Sequence, residues 1–164
     1  KTRLIEFGRY ARENRKARGK GKPETFDFLG FTHSCSKDKN GNFFLRRKTI
    51  KKRLRRTIRE VKEELKERMH KEVDETVGWL ASVITGYSNY HGVPGNINAV
   101  RGFHQQCERE LYRTLKRRSN KARKFTWKNF RDIVKGRIPK PRLTQPFPDE
   151  RFWAPETRSR SRMR

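Results

Sequence analysis

The stretch ETVGWLASVITGYSNYHGVPGN, residues 75–96, decides the fold because it is the most apolar segment of a very basic chain. Its apolar residues recur at steps of three and four, a spacing that places them on one stripe of an α-helix: Val77, Leu80, Ala81, Ile84 and Tyr87. Gly92 predicts a left-handed C-cap, and Pro94 cannot continue the helix. Gly86, inside the helix, predicts close approach by another backbone.

Amphipathic segments lie on both sides of this central helix, and we expect both to pack against it. Residues 49–70 predict a first helix whose apolar stripe includes Leu54, Val61 and Leu65. Residues 97–118 predict a third helix, with Asn96 or Asn98 as its N-cap and Cys107 among its apolar residues. Thr126 predicts the cap of a short fourth helix that ends at Gly136, and we find no internal repeat.

Strand patterns precede the helices. Residues 2–7 predict a short strand and residues 9–22 a basic loop. The aromatic-rich residues 25–34 predict a longer strand, with a bulge near Leu29 and Gly30. Asn40-Gly41 predicts a hairpin turn, from which residues 43–47 return as a second strand. The fold class predicted is therefore α+β, mainly α: a β-hairpin followed by a three- to four-helix bundle.

Charge identifies the class of partner. The chain of 164 residues carries 44 Lys+Arg and 18 Asp+Glu, a net charge of +26. Such an excess repels itself unless a polyanion neutralises it, and nucleic acid is the commonest polyanion that proteins bind. An anionic membrane is the competing reading. We expect no membrane partner because no apolar run is long enough to span a bilayer.

The charges of the first long helix oppose its dipole. Lys and Arg crowd its beginning, whereas Glu60, Glu63, Glu64 and Glu67 occupy its second half. The dipole favours acids at the start and bases at the end, and each misplaced charge costs roughly 0.3–1 kcal/mol. An i,i+4 pair such as Glu64 with Arg68 offers partial relief. Phosphate binding explains the basic start, and the alternative is that these side chains only solvate an exposed turn.

The third helix also ends in a basic run, residues 113–124, where the dipole agrees with the charge. We accordingly predict RNA or primer–template contacts from two basic groups and from polar residues that end the central helix. These residues are Arg46, Arg47, Lys48, Lys51, Lys52, Arg55, Arg56, Tyr87, Asn89, Tyr90, Arg113, Lys116 and Arg117. For the tyrosines, stacking on unpaired bases and packing at the end of the bundle both remain open.

Catalytic and metal-binding groupings are scarce. The aspartates are scattered and form no adjacent pair for two metal ions, so we predict no catalytic and no metal-binding residue. His33 with Cys35, and His104 with Cys107, could in principle share a zinc ion, although their spacing fits no usual pattern. The alternative is that Cys107 belongs to the core. Two distant cysteines favour a reducing compartment, and we expect a cytoplasmic protein.

Several motifs resemble the C-terminal part of a group II intron-encoded reverse transcriptase/maturase. Lys1-Thr2-Arg3 followed by Phe7-Gly8 looks like the end of the sixth reverse-transcriptase block, and residues 26–31 (FDFLGF) look like the seventh. Trp79, Gly86-Tyr87 and residues 89–93 (NYHGV) look like the thumb, or maturase, domain, and residues 161–164 (SRMR) also resemble the family. The resemblance covers nearly the whole chain, which we expect to be a fragment of a longer protein.

The resemblance implies a palm remnant over residues 1–47 and a thumb/maturase domain over 48–138. Composition predicts a Pro-rich basic tail over residues 139–164, with a disordered end at residues 158–164. It implies a primer-grip-like role for Phe28, Leu29, Gly30 and Phe31. The implied partners are group II intron RNA, an RNA template with its DNA primer, and target DNA. The implied activity is RNA-directed DNA polymerisation, with maturase assistance to intron splicing and mobility.

The family holds its catalytic Mg²⁺ at a Tyr-x-Asp-Asp turn, which is absent from this sequence. We therefore expect no cofactor in this fragment, Mg²⁺ in the full-length polymerase, and no polymerisation by the fragment alone. Two other hypotheses stand beside this one. The chain could be part of an active polymerase whose catalytic block lies upstream, or a generic basic nucleic-acid-binding protein without intron specificity.

Overall fold

The computed structural model describes residues 2–37, 40–118 and 124–146. The described chain is α+β and mainly helical. Its elements are α1 (Ala11–Ala17), β1 (Phe26–Phe28), β2 (Phe31–Lys37), β3 (Phe43–Thr49), α2 (Lys51–Glu67), a 3₁₀ turn (Arg68–His70), α3 (Val73–His91), α4 (Ile97–Arg117) and α5 (Trp127–Val134). The predicted disordered end, residues 158–164, lies outside the described residues.

The helical core contains the residues that the periodicity selects. On α3, Val77, Leu80 and Ile84 are almost fully buried, as predicted. α4 contacts both α2 and α3 extensively, so α4 and not α3 is the helix against which its neighbours pack. The reason is the breadth of its buried face, which extends beyond the predicted apolar stripe to His104, Glu110 and Thr114. α5 closes the core with Phe130 and Val134 and begins, as predicted, at Thr126.

The sheet has three antiparallel strands in the order β1-β2-β3, not two. The predicted single strand over residues 25–34 is wrong: Leu29 and Gly30 form a two-residue turn, with Phe28 opposite Phe31. Both turn residues have positive φ, 45° at Leu29 and 82° at Gly30, as a type I′ hairpin requires. The first turn position holds Leu29, a residue type that seldom adopts this conformation, and not the usual Asn, Asp or Gly. The sequence therefore gives no signal of this turn at that position.

The N-terminal segment also differs from the prediction. Residues 2–7 form no strand, and Leu4 is 98% exposed. The predicted loop over residues 9–22 contains α1, whose Ala11 is buried. Phe7 packs edge-on against Phe26, with ring centroids 5.0 Å apart. Contact with the sheet, rather than strand pairing, therefore positions this segment.

The end of α3 depends on a distant part of the chain. Gly92 has a φ of −75°, so the predicted left-handed cap is wrong. Its carbonyl oxygen accepts hydrogen bonds from the amides of Thr144 (2.9 Å) and Gln145 (3.0 Å). A Cβ at Gly92 would stand 2.7 Å from Thr144 Oγ1, so close packing requires glycine. At Gly86 a Cβ would meet no atom within 4 Å, and the predicted close backbone is wrong.

The first part of the predicted tail lies against the bundle. Arg137 donates to Asp74 (2.7 Å), and His104 Nε2 donates to the Pro139 carbonyl oxygen (2.9 Å). Thr144 Oγ1 donates to the Ser88 carbonyl oxygen (2.9 Å). Residues 139–146 therefore run along α4 to the end of α3.

Asn96 joins the sheet to the bundle. Its side chain is predicted to cap α4, but it makes no cap hydrogen bond. Instead, Oδ1 accepts from the Thr49 amide (3.0 Å), and Nδ2 donates to Thr49 Oγ1 (2.8 Å) and to the His91 carbonyl oxygen (2.8 Å). Asn96 is 1% exposed. One buried amide thus connects the end of β3, the end of α3 and the start of α4.

Replacing the Asn96 side-chain amide should destabilise the junction of β3, α3 and α4. Asn96→Ala leaves the buried Thr49 amide and His91 carbonyl without these partners, so we expect a loss of about 2–4 kcal/mol in the free energy of unfolding. Urea denaturation measures it. Asn98→Ala, at an exposed position two residues later, is the control and should change stability by less than about 0.5 kcal/mol. Equal losses in the two variants would contradict this role for Asn96.

Candidate nucleic-acid interface

The two predicted basic groups lie at opposite ends of the bundle. At one end, Thr49, just before α2, bonds to Asn96 at the start of α4. At the other, Arg118, just after α4, donates to the Lys71 carbonyl oxygen (2.6 Å), just after α2. The 17 residues of α2 rise about 25 Å between these ends. We call them the sheet end and the far end.

The basic residues of α2 form an exposed stripe at the sheet end. The partly or fully buried apolar residues of α2 are Leu54, Ile58, Val61 and Leu65. Because successive residues turn by about 100°, Lys52, Arg56 and Arg59 project opposite to them, with Arg55 beside them. All four are exposed and, with Lys51 and Arg53, line an open depression beside the first turns of α2.

Few acids neutralise this stripe. Within the described chain, Lys51, Lys52 and Arg55 form no ion pair, whereas Arg56 lies 3.4 Å from Glu60. Both partners of that pair are more than 60% exposed, so the pair contributes little to stability. The first turn of α2 has no acidic residue, and its N-cap, Ile50, makes no side-chain cap hydrogen bond. The positive end of the helix dipole therefore adds to the positive charge of the side chains.

The three predicted residues of β3 do not share a face. Arg46 is opposite Ser34 and Lys48 is opposite Thr32, on one face of the sheet. Arg47 is opposite His33, on the other face, because side chains alternate along a strand. Arg46 and Lys48 are therefore placed together, and Arg47 is separated from them.

The predicted primer-grip residues form the tip of the β1–β2 hairpin, which is fixed to the start of α2. Phe28 and Leu29 are 59% and 65% exposed. Gly30 and Phe31 are buried, and the Gly30 carbonyl oxygen accepts from the Ile50 amide (3.0 Å). The positive φ of Leu29 is strain at an exposed position, a feature that clusters at functional sites.

Tyr90 holds this tip from the bundle side, and Arg53 lies close to it. The Tyr90 hydroxyl donates to the Leu29 carbonyl oxygen (2.7 Å), and its ring stacks on Phe31 with centroids 5.7 Å apart. A Cβ at Gly30 would lie 3.6 Å from Arg53 Nη1 and 3.6 Å from the Tyr90 ring. Arg53 is absent from the predicted site, because only the folded hairpin brings it to the tip.

The remaining predicted residues of α3 occupy different environments. The Tyr87 ring is 8% exposed and stacks on Phe103 at 3.7 Å, so its place is in the core. Burial raises the pKa of Tyr87 to about 12. Asn89 is exposed, and its carbonyl oxygen accepts from Thr144 Oγ1 (3.3 Å). Burial, with a smaller effect of nearby Arg53, lowers the pKa of His91 to about 4.

Arg113, Lys116 and Arg117 are exposed at the far end. Arg113 pairs with Glu110 (2.6 Å), and Lys116 Nζ stands 5.8 Å from the centroid of the Tyr112 ring. Tyr112 stacks in turn on Trp127, which is 43% exposed. The predicted site includes neither Tyr112 nor Trp127. The i,i+4 spacing of Tyr112 and Lys116 does indicate that Tyr112 shares a helix face with a predicted site residue.

The candidate zinc ligands His33, Cys35, His104 and Cys107 do not form a metal site. Cys107 is 1% exposed in the core, as one alternative predicts, and burial raises its pKa to about 12. Cys35 contacts the backbone of Gly8, and His33 stacks on Phe26 with centroids 4.8 Å apart. Across the described ranges, no three His, Cys, Asp or Glu residues are placed to hold a metal ion.

No family model, curated protein or solved structure matches this chain. None of the described helices is both long enough and apolar enough to cross a bilayer.

An acid at the start of α2 should stabilise the protein while weakening RNA binding. Lys52→Glu places a favourable charge at the positive end of the helix dipole, so we expect a gain of about 0.3–1 kcal/mol in unfolding free energy. Thermal or urea denaturation measures the gain, and RNA titration measures the lost affinity. Lys62→Glu, the same change in the middle of α2, should give no such gain. A stabilised Lys52→Glu protein with unchanged RNA affinity would contradict the proposed contact.

The half-buried His91 should make stability depend on pH. Its pKa falls from 6.5 to about 4 on folding, so its stabilising effect is complete above about pH 6.5 and is lost as the pH falls toward 4. Each pH unit in that window costs up to about 1.4 kcal/mol. His91→Asn should show a flatter unfolding profile between pH 7 and pH 4. His70→Asn, at an exposed position, should keep the original profile, and identical profiles for both would refute the assignment.

Proposed function

We propose that this chain is the RNA-binding thumb/maturase region of a group II intron reverse transcriptase. In the full-length protein it would bind intron RNA to assist splicing and hold the template–primer duplex during RNA-directed DNA synthesis. The observation that carries the proposal is the basic start of α2, an exposed stripe without an acid in its first turn. A helix selected for stability alone would place these charges at its other end.

The sheet end offers two groups of candidate phosphate contacts, one on α2 and one on β3. Lys51, Lys52 and Arg55 lack ion pairs with described residues, and Arg46 and Lys48 lie on one face of the adjoining strand β3. Long, flexible, cationic side chains of this kind contact the backbone of a nucleic acid and read little base sequence. Structured RNA would then be recognised by its shape and phosphate positions.

The hairpin tip supports the template–primer part of the proposal. The exposed Phe28 and Leu29 side chains stand at one edge of the basic stripe, because Gly30 bonds to Ile50 at the start of α2. Tyr90 fixes the tip to the bundle, and the Arg53 guanidinium lies beside Gly30. An apolar tip beside cationic side chains can contact the sugars of a strand whose phosphates the stripe neutralises. This arrangement agrees with the role that the resemblance implies for residues 28–31.

The chemistry of polymerisation is proposed for the longer protein only. Mg²⁺ would be held there by the aspartates of a Tyr-x-Asp-Asp turn, which this sequence does not contain. The part assigned to this chain is binding and orientation of RNA. The competing proposal is a generic basic nucleic-acid-binding protein, which the net charge of +26 supports equally well.

Charge reversal within the stripe tests the proposal. We expect Arg55→Glu/Arg56→Glu to lower affinity for structured intron RNA by more than about tenfold, and to reduce the slope of log affinity against log salt by about 2. Filter binding across a salt series measures both quantities. Lys62→Glu/Lys66→Glu carries the same charge change at exposed positions later on the same helix and is the matched control.

The two candidate functions differ in specificity. A maturase should bind a group II intron more tightly than an unrelated structured RNA of equal length, whereas a generic binder should bind both equally. Unchanged affinity and salt slope in the Arg55→Glu/Arg56→Glu variant, with an intact circular dichroism spectrum, would refute both interpretations of the stripe.

A further inference from the structure

The far end carries an aromatic pair that the proposed function does not use. Trp127 and Tyr112 are nearly parallel, with an interplanar angle of 8° and ring centroids 4.4 Å apart. Tyr112 belongs to α4 and is half-buried, whereas Trp127 begins α5 and is 43% exposed.

No ring of the described residues covers the outer face of the indole, the face turned away from Tyr112. Phe130 is perpendicular to both rings and lies 5.0 Å from Trp127 and 5.7 Å from Tyr112. Because these distances are similar, Phe130 flanks the edges of the stacked pair and does not cover the outer face of Trp127. Within the described chain, no other ring contacts Trp127. The exposed area of Trp127 is therefore a flat π surface parallel to Tyr112.

The open ring is held rigidly. Thr126 and Asn129 form a capping box at the start of α5: Thr126 Oγ1 accepts from the Asn129 amide (3.4 Å), and Asn129 Oδ1 accepts from the Thr126 amide (2.9 Å). Phe130, 1% exposed, anchors the same turn in the core. A ring fixed in this way loses little conformational freedom when a ligand stacks on it.

Two cationic residues flank the stack. Lys116 Nζ is 5.8 Å from the Tyr112 ring. On α5, the exposed Arg131 is at the i+4 position from Trp127 and shares its helix face, whereas Lys128 projects about 100° away. Asp132, the acid of α5, is at the i+4 position from Lys128 and therefore lies beside that lysine, away from the face of Trp127. The environment of the indole is aromatic and positively charged, a combination that binds nucleobases together with their phosphates.

We propose that the outer face of Trp127 binds an unpaired base of single-stranded RNA, whose flanking phosphates contact Lys116 and Arg131. The inference rests on the proposed function only in taking RNA as the ligand, since it concerns a different end of the bundle and a different form of RNA. Within a duplex each base face is covered by its neighbours, whereas an unpaired base has a face free to stack. The far end would hold an unpaired segment about 25 Å from the duplex bound at the sheet end.

Tryptophan fluorescence tests the stacking directly. In the full chain carrying Trp79→Phe and Trp153→Phe, Trp127 is the single tryptophan. Titration with a 12-nucleotide oligouridylate, whose bases stack little on one another, should quench this fluorescence saturably. A duplex RNA of the same length should bind without comparable quenching. Absence of quenching by the oligouridylate, as expected if the ring instead docks on a protein, would overturn the proposal.

Affinity measurements on substituted chains give an independent result. Trp127→Ala should weaken oligouridylate binding roughly 5- to 150-fold, the effect expected of one lost base stack. Trp127→Phe should retain most of the affinity, and Trp127→Leu, which keeps an apolar group without a ring, should behave like Trp127→Ala. Equal affinities for the Phe and Leu variants, both with the circular dichroism spectrum of the parent, would overturn the proposal.

The sheet-end variant separates this inference from the proposed function. Arg55→Glu/Arg56→Glu should weaken binding of structured RNA while leaving the quenching by oligouridylate intact. If that variant keeps its affinity for structured RNA but Trp127→Ala loses oligouridylate, the proposed function fails and the stacking site stands. The opposite pattern would overturn the stacking site alone.

Discussion

The side-chain amide of Asn96 is the constraint on which the rest of the structure depends. It binds Thr49 at the end of β3 and the carbonyl oxygen of His91 at the end of α3, while its own residue begins α4. Leaving this buried amide without hydrogen-bond partners would cost free energy, so the three segments keep the arrangement in which the amide is paired. The position of the hairpin tip follows, because Phe31 packs on His91 and Gly30 bonds to Ile50.

The hydrogen bonds between Asn96 and Thr49 help to explain how the start of α2 tolerates its charges. The second half of the helix is anchored by Val61 and Leu65, which are 4% and 0% exposed. The first turns lack both a cap and an acid, yet they follow directly from Thr49, which Asn96 holds in place. Tertiary contacts at both ends therefore offset an unfavourable local charge pattern. Violations of a local rule that are compensated elsewhere are typical of functional surfaces.

The candidate site was predictable in part. The helical period places Lys52, Arg55 and Arg56 on one exposed face of α2, and strand alternation separates Arg47 from its neighbours. Periodicity cannot tell whether a tyrosine at the end of an apolar stripe faces the core, and Tyr87 does. Arg53 and Trp127 required the folded chain, since the hairpin tip and α4 that they approach are distant in sequence.

By itself the sequence determined helices α2 to α5, the cap at Thr126, the glycine of the Asn40-Gly41 turn, and the excess of positive charge. These features depend on residues a few positions apart, where spacing and side-chain type have direct conformational consequences. Only the tertiary structure decided that α4 is the central helix, that Leu29 turns the chain, and that Gly92 accommodates Thr144. Tertiary contacts of this kind join residues 47 to 61 positions apart in the sequence. No local pattern encodes which distant groups will meet.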